Sequence, residues 1–177
     1  MKIAIIGYSG AGKSTLAETL SNYYSIPKLH MDTLQFQPGW QDSDREWMLG
    51  EMKNFLTKHE AWVIDGNYSW CCYEERMQEA DQIIFLNFSP WTCLFRAFKR
   101  YLTYRGKVRE SMAAGCPERF DWAFIRWILW DGRTKNAKER YQWVQETYPE
   151  KVIVLRSQKE MDHFLENLAN NKKNQRV

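Results

Sequence analysis

The chain has 177 residues and a mass of 21.2 kDa, enough for one compact domain and too little for two of ordinary size. Hydrophobic residues make up 44% and charged residues 27%, which excludes wholesale disorder, and apolar runs of at most four residues exclude a spanning helix or a secretory leader. Net charge is +3, but Lys172, Lys173 and Arg176 all lie in residues 171–177, so the rest of the chain is neutral, which argues against direct nucleic-acid binding.

In chain order, Lys2-Ile3-Ala4-Ile5-Ile6 is an apolar run ending at glycine and predicts a buried strand. Gly7 to Gly12 is glycine-rich, and a helix follows over Lys13 to Tyr24, where Leu16, Leu20 and Tyr23 recur at helical spacing. A second strand is expected over Lys28 to Met31. Ser43-Asp44-Arg45-Glu46 reads as a capping box opening a helix whose buried stripe is Trp47, Met48, Met52, Phe55 and Leu56. Ala61 to Ile64 predicts a third strand closed by Asp65-Gly66, and Gln82 to Asn87 a fourth.

Ser89-Pro90 then starts a helix expected to carry Trp91, Leu94, Phe95, Phe98 and Leu102 inward. Tyr104 to Arg119 has no apolar period, residues 120–146 return to helix, and Val152 to Leu155 is a fifth strand. Ser157-Gln158-Lys159-Glu160 is a second capping box before the last helix. Strands alternating with helices predict an α/β fold: a single domain with a five-stranded parallel sheet and helices on both faces. Cys71, Cys72, Cys93 and Cys116 form no C-x-x-C pair, and with His30, His59 and His163 give no zinc spacing, so reduced thiols in a cytoplasmic protein are expected.

Gly7-Tyr8-Ser9-Gly10-Ala11-Gly12-Lys13-Ser14 matches G-x-x-x-x-G-K-[ST] at every fixed position, between a predicted strand and a predicted helix. Such a loop aims successive backbone N–H groups and a helix N-terminus at phosphate oxygens. Gly7, Ser9, Gly10, Ala11, Gly12, Lys13, Ser14 and Thr15 are therefore the expected triphosphate cradle. Lys13 would reach the β- and γ-phosphates, and the Ser14 hydroxyl would ligate Mg²⁺. No Asn-Lys-x-Asp follows a strand, which sets a GTP switch aside, and a motor ATPase needs more chain. What remains is a small phosphotransferase.

Asp65 ends a strand at the edge where doubly wound sheets bind ligands, which suits a carboxylate holding Mg²⁺. Asp32 follows the second strand on the same edge and is placed to accept the proton of an acceptor hydroxyl. Between Arg96 and Arg109 lie Arg96, Lys99, Arg100, Arg105, Lys107 and Arg109 with no acid. Arg105 and Arg109, with Arg119, are expected on a lid that closes over the moving phosphoryl group. Nine tryptophans are mostly expected in the core, with Trp40, Trp47 or Trp70 placed to stack on a flat acceptor.

The chain resembles the DNA topology modulation (FlaR-related) proteins, a group similar to adenylate and shikimate kinases. The resemblance rests on the loop, Leu29-His30-Met31-Asp32, Pro38-Gly39-Trp40, Trp62-Val63-Ile64-Asp65-Gly66-Asn67-Tyr68, Ala80-Asp81-Gln82-Ile83-Ile84-Phe85-Leu86 and Gly115-Cys116-Pro117-Glu118-Arg119-Phe120-Asp121. It implies a nucleoside monophosphate kinase-like fold over residues 1–170, an acceptor-binding insertion at about 33–60, a lid at about 104–119 and a basic tail at 171–177. It also implies that the backbone around Arg156 to Lys159, Gln158 included, frames adenine. Adenylate kinases have Asp-Gly-Phe-Pro-Arg where this chain has Asp65-Gly66-Asn67-Tyr68-Ser69, so the arginine for an acceptor phosphate is missing, and Arg45 and Arg76 are the candidates to replace it.

The expected activity is transfer of the γ-phosphoryl of ATP, with Mg²⁺, to a nucleoside, nucleotide or hydroxyl acid by a monomer or homodimer. The reading from another class is an ATP-binding regulator that affects DNA topology through a partner.

Overall fold

The computed structural model describes residues 1–174. Strands β1 (Lys2–Gly7), β2 (Lys28–His30), β5 (Trp62–Asp65), β6 (Gln82–Leu86) and β7 (Val152–Leu155) form one parallel sheet in the order β2-β5-β1-β6-β7. The predicted α/β architecture is the one found. Each strand is short and rich in branched residues because both faces are covered: Ile3, Ala4, Ile5, Val63, Ile64, Ile83 and Ile84 are fully buried. A small antiparallel pair, β3 (Phe36–Gln37) and β4 (Gln41–Asp42), stands outside the sheet.

Register decides what meets at the carboxyl edge. Ile5 pairs with Asp65, and His30 pairs with Asp65 on the other side, so β1, β2 and β5 end together. Gly7 lies opposite Leu86, and Leu86 opposite Leu155. Because a parallel sheet aligns all its C-termini, the loops that follow these strands are neighbours.

Helices α1 (Lys13–Tyr24), α2 (Met31–Gln35), α3 (Arg45–Lys58) and α4 (Tyr73–Glu79) precede β6, and α5 (Pro90–Tyr104), α6 (Trp122–Leu129), α7 (Lys135–Thr147) and α8 (Gln158–Asn174) follow it. Leu16, Ala17 and Leu20 of α1 and Met48, Met52 and Leu56 of α3 enter the main core. The segment expected as an acceptor insertion thus gives α3 to the core, and α2 joins it through Met31 and Leu34, so that the β3–β4 pair is the part that stands apart. The second strand stops one residue early, at His30, because Met31 already turns into α2. The α3 cap is Asp44, whose side chain accepts from the Trp47 N–H at 2.8 Å; Ser43 is buried and its hydroxyl has no hydrogen-bond partner. Trp47 points to solvent, unlike the rest of that stripe.

The expectation for α5 holds for Leu94, which packs against the main core, and fails for the other four residues. Its buried residues are the small Cys93 and Ala97, whereas Trp91 is 70% exposed, Phe95 68%, and Phe98 and Leu102 are also exposed. The helix lies so close to the loop after β1 that only small side chains fit beneath it. A Cβ on Gly10 would stand 2.5 Å from the Cys93 carbonyl oxygen. Trp122, Trp127, Trp130 and Trp143 are likewise exposed, so the tryptophans are mainly a surface feature; Trp62 is the one that is fully buried.

Helix α8 continues to Asn174, into the segment expected as a basic tail; Arg176 lies outside the described residues. Among the described residues no helix is long and apolar enough to cross a membrane.

Candidate active site

Gly7, Gly10 and Gly12 all have positive φ, and a Cβ at any of them would stand 2.5 Å from a neighbouring atom. The loop therefore folds this way only with glycine at these positions. No side chain caps α1, whose N-cap is Gly12, so the free N–H groups of its first turn face the loop's concavity. Lys13 Nζ donates to the carbonyls of Gly7 at 3.0 Å and Tyr8 at 3.2 Å, folding its ammonium back over the same concavity. Burial pushes the Lys13 ammonium below its ordinary pKa, while Asp32 and Asp65 pull it back up. An uncapped helix end, strained glycines and a desolvated lysine suit a polyphosphate. Ser9 accepts from Trp127 Nε1 at 3.1 Å, Ala11 closes the turn through its N–H to the Tyr8 carbonyl, and Thr15 is exposed on α1.

Asp65 is the hub. Its Oδ2 accepts from Ser14 Oγ at 2.9 Å, and its Oδ1 lies 2.5 Å from His30 Nδ1. An ionised carboxylate only accepts, so the His30 nitrogen is the donor. Thus Ser14 and Asp65, the expected Mg²⁺ pair, are brought together. Among the described residues no group of three or more His, Cys, Asp or Glu side chains gathers as a metal cage. A two-ligand arrangement is typical of Mg²⁺ sites completed by water and substrate phosphate.

The next residues tie this hub to its neighbours. Asn67 grips the end of β1 from both sides: its Oδ1 accepts from the Gly7 N–H at 3.0 Å, and its Nδ2 donates to the Gly7 carbonyl. Tyr68 donates to Asp32 Oδ1 at 2.7 Å, and burial together with the Asp32 charge raises its phenol far above the ordinary value. Arg76 is fully buried and donates to the carbonyls of Gly66 (3.3 Å), Tyr68 (3.1 Å) and Cys72 (3.3 Å). Its guanidinium is committed to holding this turn, so it does not replace the missing acceptor arginine. Arg45 lies 5.2 Å from the Trp70 ring centre.

Of the cations expected on a lid over residues 104–119, Arg109 turns inward and Arg105 does not, and Arg100 of α5 joins Arg109. Arg100, on α5, and Arg109 both bind Glu118, whose side chain is 4% exposed. Arg100 Nη2 lies 2.7 Å from one carboxylate oxygen, and Arg109 Nε donates to the other. Arg100 is near enough to Lys13 and Asp32 for their charges to act on one another. Arg105 is exposed and meets Glu118 only through a backbone bridge, whereas Arg119 stacks 4.3 Å from the Trp40 ring centre. The 104–119 segment rests on the β3–β4 segment: the Gly39 N–H donates to Gly115 at 3.0 Å and Trp40 Nε1 to Pro117 at 3.2 Å. Phe36 and Trp40 pack there against Met112, Ala113 and Cys116.

Arg96, one turn before Arg100, lies against Gly12, and its Nη1 is buried without a partner. Its charge is also felt by Asp162 of α8. Near the start of α8, the Arg156 N–H donates to Glu160 at 2.8 Å and Gln158 Nε2 to Asp162 at 2.6 Å. Arg156 and Gln158, expected near adenine, are thus tied to Glu160 and Asp162 of α8. Asn67, Arg96, Arg100 and Glu118 escaped the sequence-based site list. For Arg96 and Arg100 a signal existed, since four-residue spacing on a helix puts two arginines on one face.

No family profile matches the chain, and no curated protein matches it. Among solved structures it is similar to the deoxyadenosine kinase of M. mycoides, determined with the products dCMP and a flexible dCDP bound: TM-score 0.50, 17% identity, 96% of this chain and 100% of that one. It is also similar to a gluconokinase from Sinorhizobium meliloti 1021, with TM-score 0.50, 18% identity, 98% of this chain and 96% of that one. These likenesses establish the fold: a five-stranded parallel α/β sheet flanked by helices, of the kind found in P-loop nucleoside and sugar kinases.

Proposed function

We propose that the chain is a phosphotransferase that moves the γ-phosphoryl of Mg·ATP to a hydroxyl of a small acceptor, with nucleosides and nucleotides favoured. The observation that carries this is the meeting of three chemistries at one sheet edge. The uncapped loop with Lys13, the Ser14–Asp65 pair and the Asp32 carboxylate lie at the ends of β1, β5 and β2. Mg·ATP, when bound, would supply the phosphoryl group and the metal charge that offsets the charge on its phosphates. Lys13 and the loop amides hold the phosphates, while Ser14 and Asp65 hold the metal. Asp32 keeps one oxygen on Tyr68 and offers the other to the acceptor's hydroxyl proton. Arg100 and Arg109, rather than Arg105, bring positive charge from the lid side, and Arg96 reaches the loop at Gly12. The FlaR-related resemblance stands beside this reading, as does a reducing cytoplasmic setting, which the four free cysteines fit.

Incubation with γ-labelled ATP, Mg²⁺ and a panel of nucleosides, monophosphates and sugar acids tests it. Label should enter an acceptor, and Lys13→Ala should abolish it. The regulatory reading draws on the basic segment 171–177. Mg·ATP binding with no labelled acceptor, together with capture of a DNA-topology partner, would favour it instead.

A further inference from the structure

Helix α5 has two different sides. Toward the phosphate loop, the Cys93 carbonyl lies against Gly10, Arg96 lies against Gly12, and Arg100 binds Glu118. Another side carries Trp91, Phe95, Phe98 and Leu102, each between 42% and 70% exposed. Phe98 meets Phe120 at 5.2 Å between ring centres, two residues before the exposed Trp122. A whole aromatic side chain offers roughly 150–250 Å², so these four residues leave about 500 Å² of apolar surface uncovered on one copy. A patch of that size marks an interaction site more often than chance exposure does. Two such faces pressed together would bury about 1,000 Å², the size at which specific interfaces begin.

The spacing of the stripe fits it to itself. Trp91, Phe95, Phe98 and Leu102 follow at intervals of four, three and four residues, the same read from either end. When two α5 helices meet antiparallel about a twofold axis, Trp91 comes level with Leu102 of the second copy and Phe95 with Phe98. Such self-complementarity is what an isologous interface requires. Charge does not oppose the pairing. Helix α5 has three cations and no acid, but Arg96 and Arg100 turn to the loop side, and Lys99 comes level with Leu94 of the second copy rather than with another Lys99. A helix that lies on a lipid surface carries several lysines or arginines beside its apolar face. Along α5 the exposed polar residues are Thr92, Lys99 and Thr103, with one cation among them.

We propose that the stripe of Trp91, Phe95, Phe98 and Leu102 is the interface of a homodimer, in which α5 packs antiparallel on α5 of a second copy. The stripe is turned away from Gly10 and Gly12, so both phosphate loops stay uncovered, and the assignment does not depend on the phosphotransferase reading.

Sedimentation of the full chain without nucleotide tests it. At about 200 μM, a concentration suited to an interface at the small end of the range, the wild type should run at twice the single-chain mass of 21.2 kDa and approach that mass on dilution. Phe95→Glu and Phe95→Ser should each weaken association at least tenfold, as loss of a central aromatic anchor does. Trp143→Ser, which removes an exposed aromatic of α7, should leave association unchanged. Melts of the Phe95 variants in dilute solution, where every copy is alone, should match the wild type and so separate association from folding; Phe95→Ser decides if the glutamate variant does not fold. A wild type that stays monomeric at the higher concentration overturns the proposal, as does a dimer that the Phe95 variants leave intact. A monomer that floats with vesicles of phosphatidylglycerol and phosphatidylcholine, and no longer does so in Phe95→Glu, also overturns it and gives the stripe to lipid.

Discussion

Lys13 sits where its charge is costly unless an anion arrives. Burial depresses its pKa in the free protein, and phosphate oxygens beside it would raise that pKa again. The sign follows: on the alkaline side of neutrality, binding of Mg·ATP should draw a proton from solvent onto the chain. Titration calorimetry in two buffers of different ionisation heat should read net uptake for the wild type and none for Lys13→Met. The variant should also bind roughly tenfold or more weakly, the usual worth of a charge-assisted hydrogen bond. Arg76 tests the opposite kind of cation, one whose role is structural. Burial lowers its pKa to about 10, and three carbonyls depend on it. Arg76→Met should destabilise the fold by roughly 2–4 kcal/mol in denaturant unfolding, because those acceptors lose their donor out of reach of water.

At the scale of elements, α5 shows how an amphipathic pattern can mislead about direction. Its large side chains form the stripe that sequence periodicity assigns to the core, but only Leu94 of them reaches it; where Cys93 approaches Gly10 there is room beneath the helix only for a small residue. Phe95→Ser should therefore change stability by no more than about 0.5 kcal/mol, whereas Ala97→Leu should cost about 1–3 kcal/mol by overpacking. Paired thermal melts would order the two. The strands were legible because runs such as Ile83 to Leu86, closed by polar residues, have one structural solution in a covered parallel sheet. The phosphate loop was legible because its glycine spacing admits few other uses. Asn67, Glu118 and the pairing of His30 with Asp65 were not, since a single polar residue acquires its role only from a partner brought by the fold.

Across the whole molecule, residues 112–117 pack against the β3–β4 segment, the two stretches expected as lid and acceptor insertion. Gly115 has φ +74°, and a Cβ there would stand 2.8 Å from Pro38. Gly115→Ala should part the two and raise the KM for the acceptor severalfold, while calorimetric affinity for Mg·ATP stays within about twofold. Sequence alone could not tell which arginines of residues 96–109 face inward: Arg105 precedes Gly106 in an exposed stretch, while Arg100 is carried toward Glu118 by the helix.

The turn Asp65-Gly66-Asn67-Tyr68 joins Ser14, the end of β1 and Asp32 within four consecutive residues. Its length is thereby frozen: one residue inserted or deleted would disconnect all three at once. The tip of the β3–β4 pair is anchored to one neighbour only, through Gly39 to Gly115 and Trp40 to Pro117, so a change of length there would loosen residues 112–117 and leave the contacts of the turn in place.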